Sequence, residues 1–305
     1  MEKFIKPYCL MPGDTVGIVA PAGPFDPKKF MKGKAVLESM GFRTFFDEGI
    51  FQKHAFLAGT DMQRANQVNR LFANPAVKAV VCARGGYGSM RILPFLDYKT
   101  IQKNPKIFVG FSDISALLSV LYNRCGLIAF HGPVVTTLAN TAEDNIAAMH
   151  TVLTSDIILE VKPEKSIVIQ PGVSSGIVVG GNLTTLCHLL GTPYAPNFDG
   201  NILFLEDRAE APYRIDRMLT QMKLAGCFEG IKGLFLGSFE ACGKLDEIFR
   251  IVQEIFRDVN IPILSGFEIG HGSMNITIPI GIGATLDTDR QILTFHEPAT
   301  VTTDE

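Results

Sequence analysis

Three side chains of the kinds that build a serine nucleophile and its proton relay stand at the ends of apolar runs: Ser112, Glu206 and His271. Ser112 lies in KIFVGFSDISA, residues 106–116. Ile107-Phe108-Val109 reads as a buried strand, Gly110 breaks it, and a helical apolar pattern (Ile114, Leu117, Leu118, Val120, Leu121) begins at once. A serine between a buried strand and a helix start sits at the tip of a tight turn. There it is exposed at the carboxyl end of the sheet, where open α/β sheets place their chemistry. Gly110-Phe111-Ser112-Asp113-Ile114 matches the nucleophile elbow only in part, because the second glycine of G-x-S-x-G is missing. The bland alternative is that Ser112 or Asp113 simply caps the helix.

A serine hydroxyl needs a base to become a nucleophile. His271, between Gly270 and Gly272, is the best placed; the alternative is an ordinary loop histidine. His131, at another strand end, is the rival, whereas His150 and His188 fall inside helical patterns. Glu206 follows four apolar residues directly, so it emerges from a sheet core. A carboxylate there must be paired, and an imidazole N–H would satisfy it while fixing the useful tautomer. The competing reading is that Glu206 or Asp207 caps the next helix or pairs with Arg208, Arg214 or Arg217.

The loop Arg84-Gly85-Gly86-Tyr87-Gly88 lets backbone N–H groups approach a ligand closely. The N–H groups at Gly86 and Asp113 could together hold an oxyanion. Arg84 and Tyr87, by their place on the same loop, are the candidate substrate-binding side chains. A phosphate cradle is disfavoured: Ser89, Met90 and Arg91 break G-x-G-x-x-G, and no Walker pattern occurs. No H-E-x-x-H occurs and the histidines are scattered, which argues against a metal hydrolase.

These residues need a scaffold, and the 305-residue chain can supply one. It is 47% hydrophobic and 19% charged, too apolar for disorder. Net charge is −3 with both signs interspersed, so nothing marks a nucleic-acid footprint. No apolar run is long enough for a membrane span, and the first residues do not read as a signal peptide. The six cysteines lack any C-x-x-C pair, so free thiols in a reducing compartment are expected.

Strand and helix alternate at βαβ spacing through the first half, with strands near 15–22, 43–47, 76–83, 107–110 and 127–130. The second half repeats the alternation, with strands at 202–205, 231–236 and 261–264, then a tail at 276–282 and 291–295 that alternates like antiparallel or edge structure. The expected fold is α/β: an N-terminal flavodoxin- or Rossmann-like parallel-sheet lobe and a C-terminal α/β lobe with its own mixed sheet. The expected division is 1–160 for the lobe with the nucleophile, 161–175 for a linker, and 176–305 for the lobe with the acid and base.

With these pieces in place the chain resembles the LD-carboxypeptidase family of serine peptidases. The likeness rests on Ala20-Pro21-Ala22, Ala83-Arg84-Gly85-Gly86-Tyr87-Gly88, Gly110-Phe111-Ser112-Asp113, Gly180-Gly181-Asn182-Leu183, Leu205-Glu206-Asp207 with Pro212-Tyr213-Arg214, and Gly270-His271. The resemblance implies a triad of Ser112, Glu206 and His271 working without metal or organic cofactor. It also implies a cytoplasmic, usually homodimeric enzyme of murein recycling, which removes the terminal D-alanine from a muropeptide tetrapeptide. One branch of the family instead hydrolyses microcin-type aminoacyl or peptidyl nucleotides, commonly stacking a tryptophan on the base; this chain has no tryptophan. A non-catalytic two-lobed binding protein is the alternative from another class.

Overall fold

The computed structural model describes residues 4–302. The chain divides into two compact units. One comprises the chain up to Ile157, Ile276–Pro279 and the residues from Ala299 on; the other comprises Ile158–Asn275 and Ile280–Pro298.

The strands in chain order are β1 (Thr15–Val19), β2 (Arg43–Phe45), β3 (Val77–Cys82), β4 (Ile107–Gly110), β5 (Ala129–His131), β6 (Glu160–Val161), β7 (Ile167–Gln170), β8 (Val173–Asn182), β9 (Asn201–Arg208), β10 (Gly233–Glu240), β11 (Ile263–Ser265), β12 (Ile278–Ile280), β13 (Gly283–Asp287) and β14 (Ile292–Phe295).

The first sheet has the order β12-β5-β4-β3-β1-β2. Its first five strands in chain order run parallel, with Val16 opposite Ala79, Val80 opposite Phe108 and Val109 opposite Phe130. The order 2-1-3-4-5 is the flavodoxin-like one, whose ligand crevice lies beyond the carboxyl ends of the strands. Its central strands are apolar on both faces because helices cover both: Ile18, Val80, Val81, Phe108, Val109 and Phe130 are buried. The covering helices carry their own start signals. Asp61–Ala73 opens on a capping box in which Thr60 and Gln63 satisfy each other's backbone N–H groups. Pro27–Ser39 begins with proline after an Asp26 cap.

The second sheet has eight strands, β6-β14-β13-β8-β9-β10-β11-β7. Its centre, β8 to β11, is parallel, and antiparallel strands flank it on both sides. Phe204, Phe235, Leu203 and Leu234 fill its interior, with the Phe204 and Phe235 rings stacked at 5.0 Å.

Two expectations need correction. Residues 161–175 are no linker: β7 and the start of β8 lie in this stretch and pair within the second sheet, β7 forming one edge against β11. The residues of β7 and of the start of β8 are half-exposed or exposed because they lie at that edge or at the sheet's outer end, which made the stretch look like a connection. The C-terminal block 176–305 is also not continuous. Ile276–Pro279 return to the first unit, where β12 joins the sheet beside β5.

Candidate active site

Ser112 follows β4 after one extended residue, Phe111 (φ −155°, ψ −176°). Its own backbone is left-handed at φ +65°, a conformation that costs an L-residue about 1–2 kcal/mol. A short turn, Ser112–Ile114, then leads into the helix Ser115–Cys125. This is the strand–turn–helix context of a nucleophile elbow. The missing second glycine has a packing explanation. A Cβ on Gly110 would lie 2.9 Å from Ile114 Cβ, so the Ile114 side chain occupies the space that Gly110 vacates. The capping alternative fails: Phe111 and Ile114 hold the two N-cap positions, and neither start has a side-chain cap.

Gly85 brings its backbone against the serine. A Cβ there would lie 2.8 Å from Ser112 Cβ and 3.1 Å from Ser112 Oγ. Gly86, next in the loop, is also left-handed at φ +106°. Ser89 ties the loop to the turn, its N–H donating to the Asp113 carboxylate at 2.8 Å and its hydroxyl to the Asp113 carbonyl at 2.5 Å. Desolvation pushes the Asp113 carboxyl above its usual range, against the pull of those hydrogen bonds. The Arg84 guanidinium donates to Pro24 O at 2.5 Å and stays exposed. Tyr87 is half-exposed and meets Phe56 edge-on at 5.3 Å. His131, the rival base, is wholly buried at the end of β5, with its ring edge-on to Phe111 at 5.9 Å. That removes it from any solvent-reached site.

In the second unit the structure brings Glu206 and His271 together. Glu206, in β9, is fully buried, and its Oε2 lies 2.6 Å from His271 Nδ1. Facing a carboxylate, Nδ1 must carry the ring proton, which leaves Nε2 as the acceptor in the neutral ring. His271 stays slightly open, its side chain 11% exposed. Gly270 makes the approach possible: at φ +108°, a Cβ would fall 2.8 Å from Glu206 Cγ. The loop is pinned from three sides. Asn275 Oδ1 accepts from Gly270 N–H at 2.8 Å, Ser238 Oγ accepts from Gly272 N–H at 2.9 Å, and Ile269 O accepts from Ser238 N–H at 2.9 Å.

The carboxylate is oriented in turn. Asn182, opposite Glu206 in the β8–β9 register, donates its Nδ2 to Glu206 Oε1 at 3.2 Å and to Asp207 Oδ1 at 3.1 Å. Asp207 also accepts from the Thr184 N–H and hydroxyl at 2.9 and 2.7 Å. Burial pushes its carboxyl up, a shift that the Thr184 hydroxyl opposes and the charge of Glu206 reinforces. Asp207 thus serves the start of the helix Leu183–Leu189, whereas the following helix, Pro212–Leu224, has Ala211 at its N-cap.

Sequence reasoning missed Arg64, Ser238 and Asn275, and it met Asn182 only as part of a motif, with no role at the carboxylates. Arg64 had a legible signal: it occupies the apolar stripe formed with Val68, Leu71 and Phe72. Among the described residues, no group of three or more His, Cys, Asp or Glu could hold a metal ion, and no helix is long and apolar enough to cross a membrane. The six cysteines are unbridged.

Comparison with known proteins places these features in a family. Residues 16–132 match the LD-carboxypeptidase N-terminal domain and residues 175–286 the LD-carboxypeptidase C-terminal domain. The chain is 36% identical to a probable murein peptide carboxypeptidase of Bacillus subtilis, over 93% of this chain and 92% of the relative. Among solved structures, an MccF-like protein from Bacillus anthracis superposes with a TM-score of 0.90 at 27% identity, covering 95% of this chain and 99% of that one. A muramoyltetrapeptide carboxypeptidase from Oxalobacter formigenes superposes with a TM-score of 0.81 at 29% identity, covering 92% and 97%. A strained serine between strand and helix, a histidine fixed on a buried glutamate and the matches to both family domains lead to one statement: the chain belongs to the LD-carboxypeptidase family and is a serine carboxypeptidase, a hydrolase.

Proposed function

We propose that the protein removes the terminal D-alanine from muropeptide tetrapeptides, with Ser112 as nucleophile, His271 as base and Glu206 as the acid that orients it. The observation that carries the triad is the 2.6 Å contact between His271 Nδ1 and the buried Glu206. It fixes the tautomer in which Nε2 can take a proton. In the proposed cycle His271 Nε2 accepts the Ser112 proton as the serine oxygen attacks the scissile carbonyl. The N–H groups of Gly86 and Asp113 hold the oxyanion, each donor contributing about 3 kcal/mol to the lowered barrier. The imidazolium then protonates the departing D-alanine nitrogen, and water hydrolyses the acyl-enzyme with His271 again as base. Arg84 is the proposed partner of the substrate's free carboxylate, with Tyr87 beside it on the same exposed loop. The substrate class follows the carboxypeptidase relatives named for murein peptides. On the family resemblance, we extend the reading to a role in peptidoglycan recycling as a cytoplasmic homodimer.

Incubation of the protein with a tetrapeptide, followed by HPLC–mass spectrometry, should show loss of one alanine, and Ser112→Ala should abolish it. An intact tetrapeptide under conditions where the protein is folded would reject this substrate. A second reading, hydrolysis of a microcin-type peptidyl nucleotide, is favoured by the higher TM-score to the MccF-like structure. The absence of tryptophan disfavours it. Turnover of a peptidyl-adenylate mimic in place of the tetrapeptide would decide for it.

A further inference from the structure

Arg64 is a charged residue with no exposed surface, in the first turn of the helix Asp61–Ala73. Such burial is costly unless the charge is paired and its donors are used. Its guanidinium reaches two backbone segments far apart in sequence. Nη1 donates to the carbonyl of Pro21, in the turn after β1, and to that of Gly88 at 2.8 Å, at the end of the glycine loop. Nη2 donates to Asp61 Oδ1 at 2.5 Å. The other oxygen of Asp61 accepts from Arg91 Nε and Nη2 at 3.1 and 2.9 Å. Beyond Gly88 the linkage continues: Ser89 holds both the carboxylate and the carbonyl of Asp113. On the near side, Gly23 N–H donates to Gly85 O at 3.1 Å, joining the same two segments a second time.

Every one of these contacts lies in the first unit, and together they bracket Ser112. Gly85 is tied to Gly23 and Gly88 to Arg64, and Gly85 is the residue packed against the serine side chain. The planar fork of Arg64 serves two carbonyls and a carboxylate at once.

We infer that Arg64 is a positioning residue of the reaction, acting through the Pro21 and Gly88 carbonyls to hold the glycine loop at its distance from Ser112. This inference rests on Ser112 being the nucleophile, as proposed above. It does not require the substrate to be a muropeptide. A loop displaced by about 1 Å at the reacting atoms can cost about 100-fold in rate. The loss should fall on kcat and on serine reactivity, and KM should rise as well to the extent that Arg84 and Tyr87 move with the loop.

The test uses the full chain and two readouts: D-alanine release from a tetrapeptide, and the labelling rate of Ser112 by a fluorophosphonate. Arg64→Ala should lower kcat and the labelling rate by about 100-fold. Millimolar guanidinium, far below denaturing concentrations, should restore part of both by entering the vacated space. Arg64→Lys should recover less than guanidinium does, since an ammonium cannot fork. Asp61→Asn, which keeps the shape and removes the anchoring charge, should lower kcat in the same direction and serves if Arg64→Ala does not fold. A folded Arg64→Ala with wild-type kcat and labelling would overturn the inference. So would a loss confined to melting temperature and yield, with guanidinium restoring nothing, or an Asp61→Asn with unchanged kcat when Arg64→Ala cannot be obtained. Failure of the wild type to take the label or cleave the tetrapeptide would instead sink the nucleophile assignment. Labelling without tetrapeptide cleavage would sink only the substrate.

Discussion

Replacing Glu206 with glutamine removes one charge and no volume, and the surrounding hydrogen bonds dictate the outcome. Asn182 cannot turn to suit a new neighbour. Its Oδ1 accepts from the Thr185 N–H and hydroxyl at 3.0 and 2.9 Å, so its Nδ2 must keep facing residues 206 and 207. A glutamine at 206 would therefore present its carbonyl to Asn182 and its amide nitrogen to His271 Nδ1. A donor in that place demands an unprotonated Nδ1, which moves the ring proton to Nε2, where it would block the proposed abstraction from Ser112. A wrong-tautomer substitution of this kind costs about 10,000-fold in kcat, or about 5 kcal/mol. The effect on folding is far smaller, because the lost charge-assisted bond, worth about 1.5–3 kcal/mol, is offset by no longer burying a charge. Activity and stability should thus separate. The checks are D-alanine release, thermal melting and the ¹⁵N shifts of His271, which should show Nδ1 protonated in the wild type and Nε2 protonated in Glu206→Gln. A variant that retained kcat within tenfold of the wild type would refute the tautomer argument.

Three further outcomes follow from individual residues, two in the candidate site and one buried at the far end of β4. Ser112→Gly and Ser112→Ala should both be inactive, yet the glycine variant should be the more stable by roughly 1 kcal/mol in urea denaturation, because it relieves a left-handed residue; equal midpoints would argue against stored strain. Gly270→Ala should lose kcat at least tenfold and about 1–2 kcal/mol of stability, since the methyl group must displace Glu206 while the backbone stays left-handed; wild-type kinetics would show that the loop adapts. Lys106 is buried, with its ammonium donating to Asn74 O and Val77 O, and desolvation, with Lys78 nearby, lowers its pKa from 10.5 to about 8. Between those values the unfolded chain holds the extra proton, so stability should rise as pH goes from about 8 to about 10.5, by at most about 3 kcal/mol. The rise should vanish in Lys106→Met when denaturant midpoints are compared across that range, and a persistent rise would assign it to another group.

Much of the site was legible because its chemistry sits where local rules are strong. Glu206 follows an apolar run, and a carboxylate leaving a sheet core needs a partner; the structure supplies His271. The turn at Ser112 was readable from strand, glycine and helix periodicity, although the motif departs from its pattern. What stood out of reach was the reason for the departure, because Ile114 replaces a glycine only through its packing over Gly110. The stretch 161–175 misled for the opposite reason: strands at a sheet's edge carry few buried residues, so periodicity fades where pairing persists. Asn182, Ser238 and Asn275 act through orientation, and composition holds no trace of which way an amide or hydroxyl points.

The return of residues 276–279 to the first sheet sets an order of assembly. During synthesis most of the first unit emerges early but lacks the edge strand β12 until almost the whole polypeptide has left the ribosome. A break at residue 157 therefore yields a fragment with an unfinished border rather than an autonomous module, and splitting the gene there would require co-expression of the remainder to seal it. The two halves become complete nearly together, within the last thirty or so residues to be made.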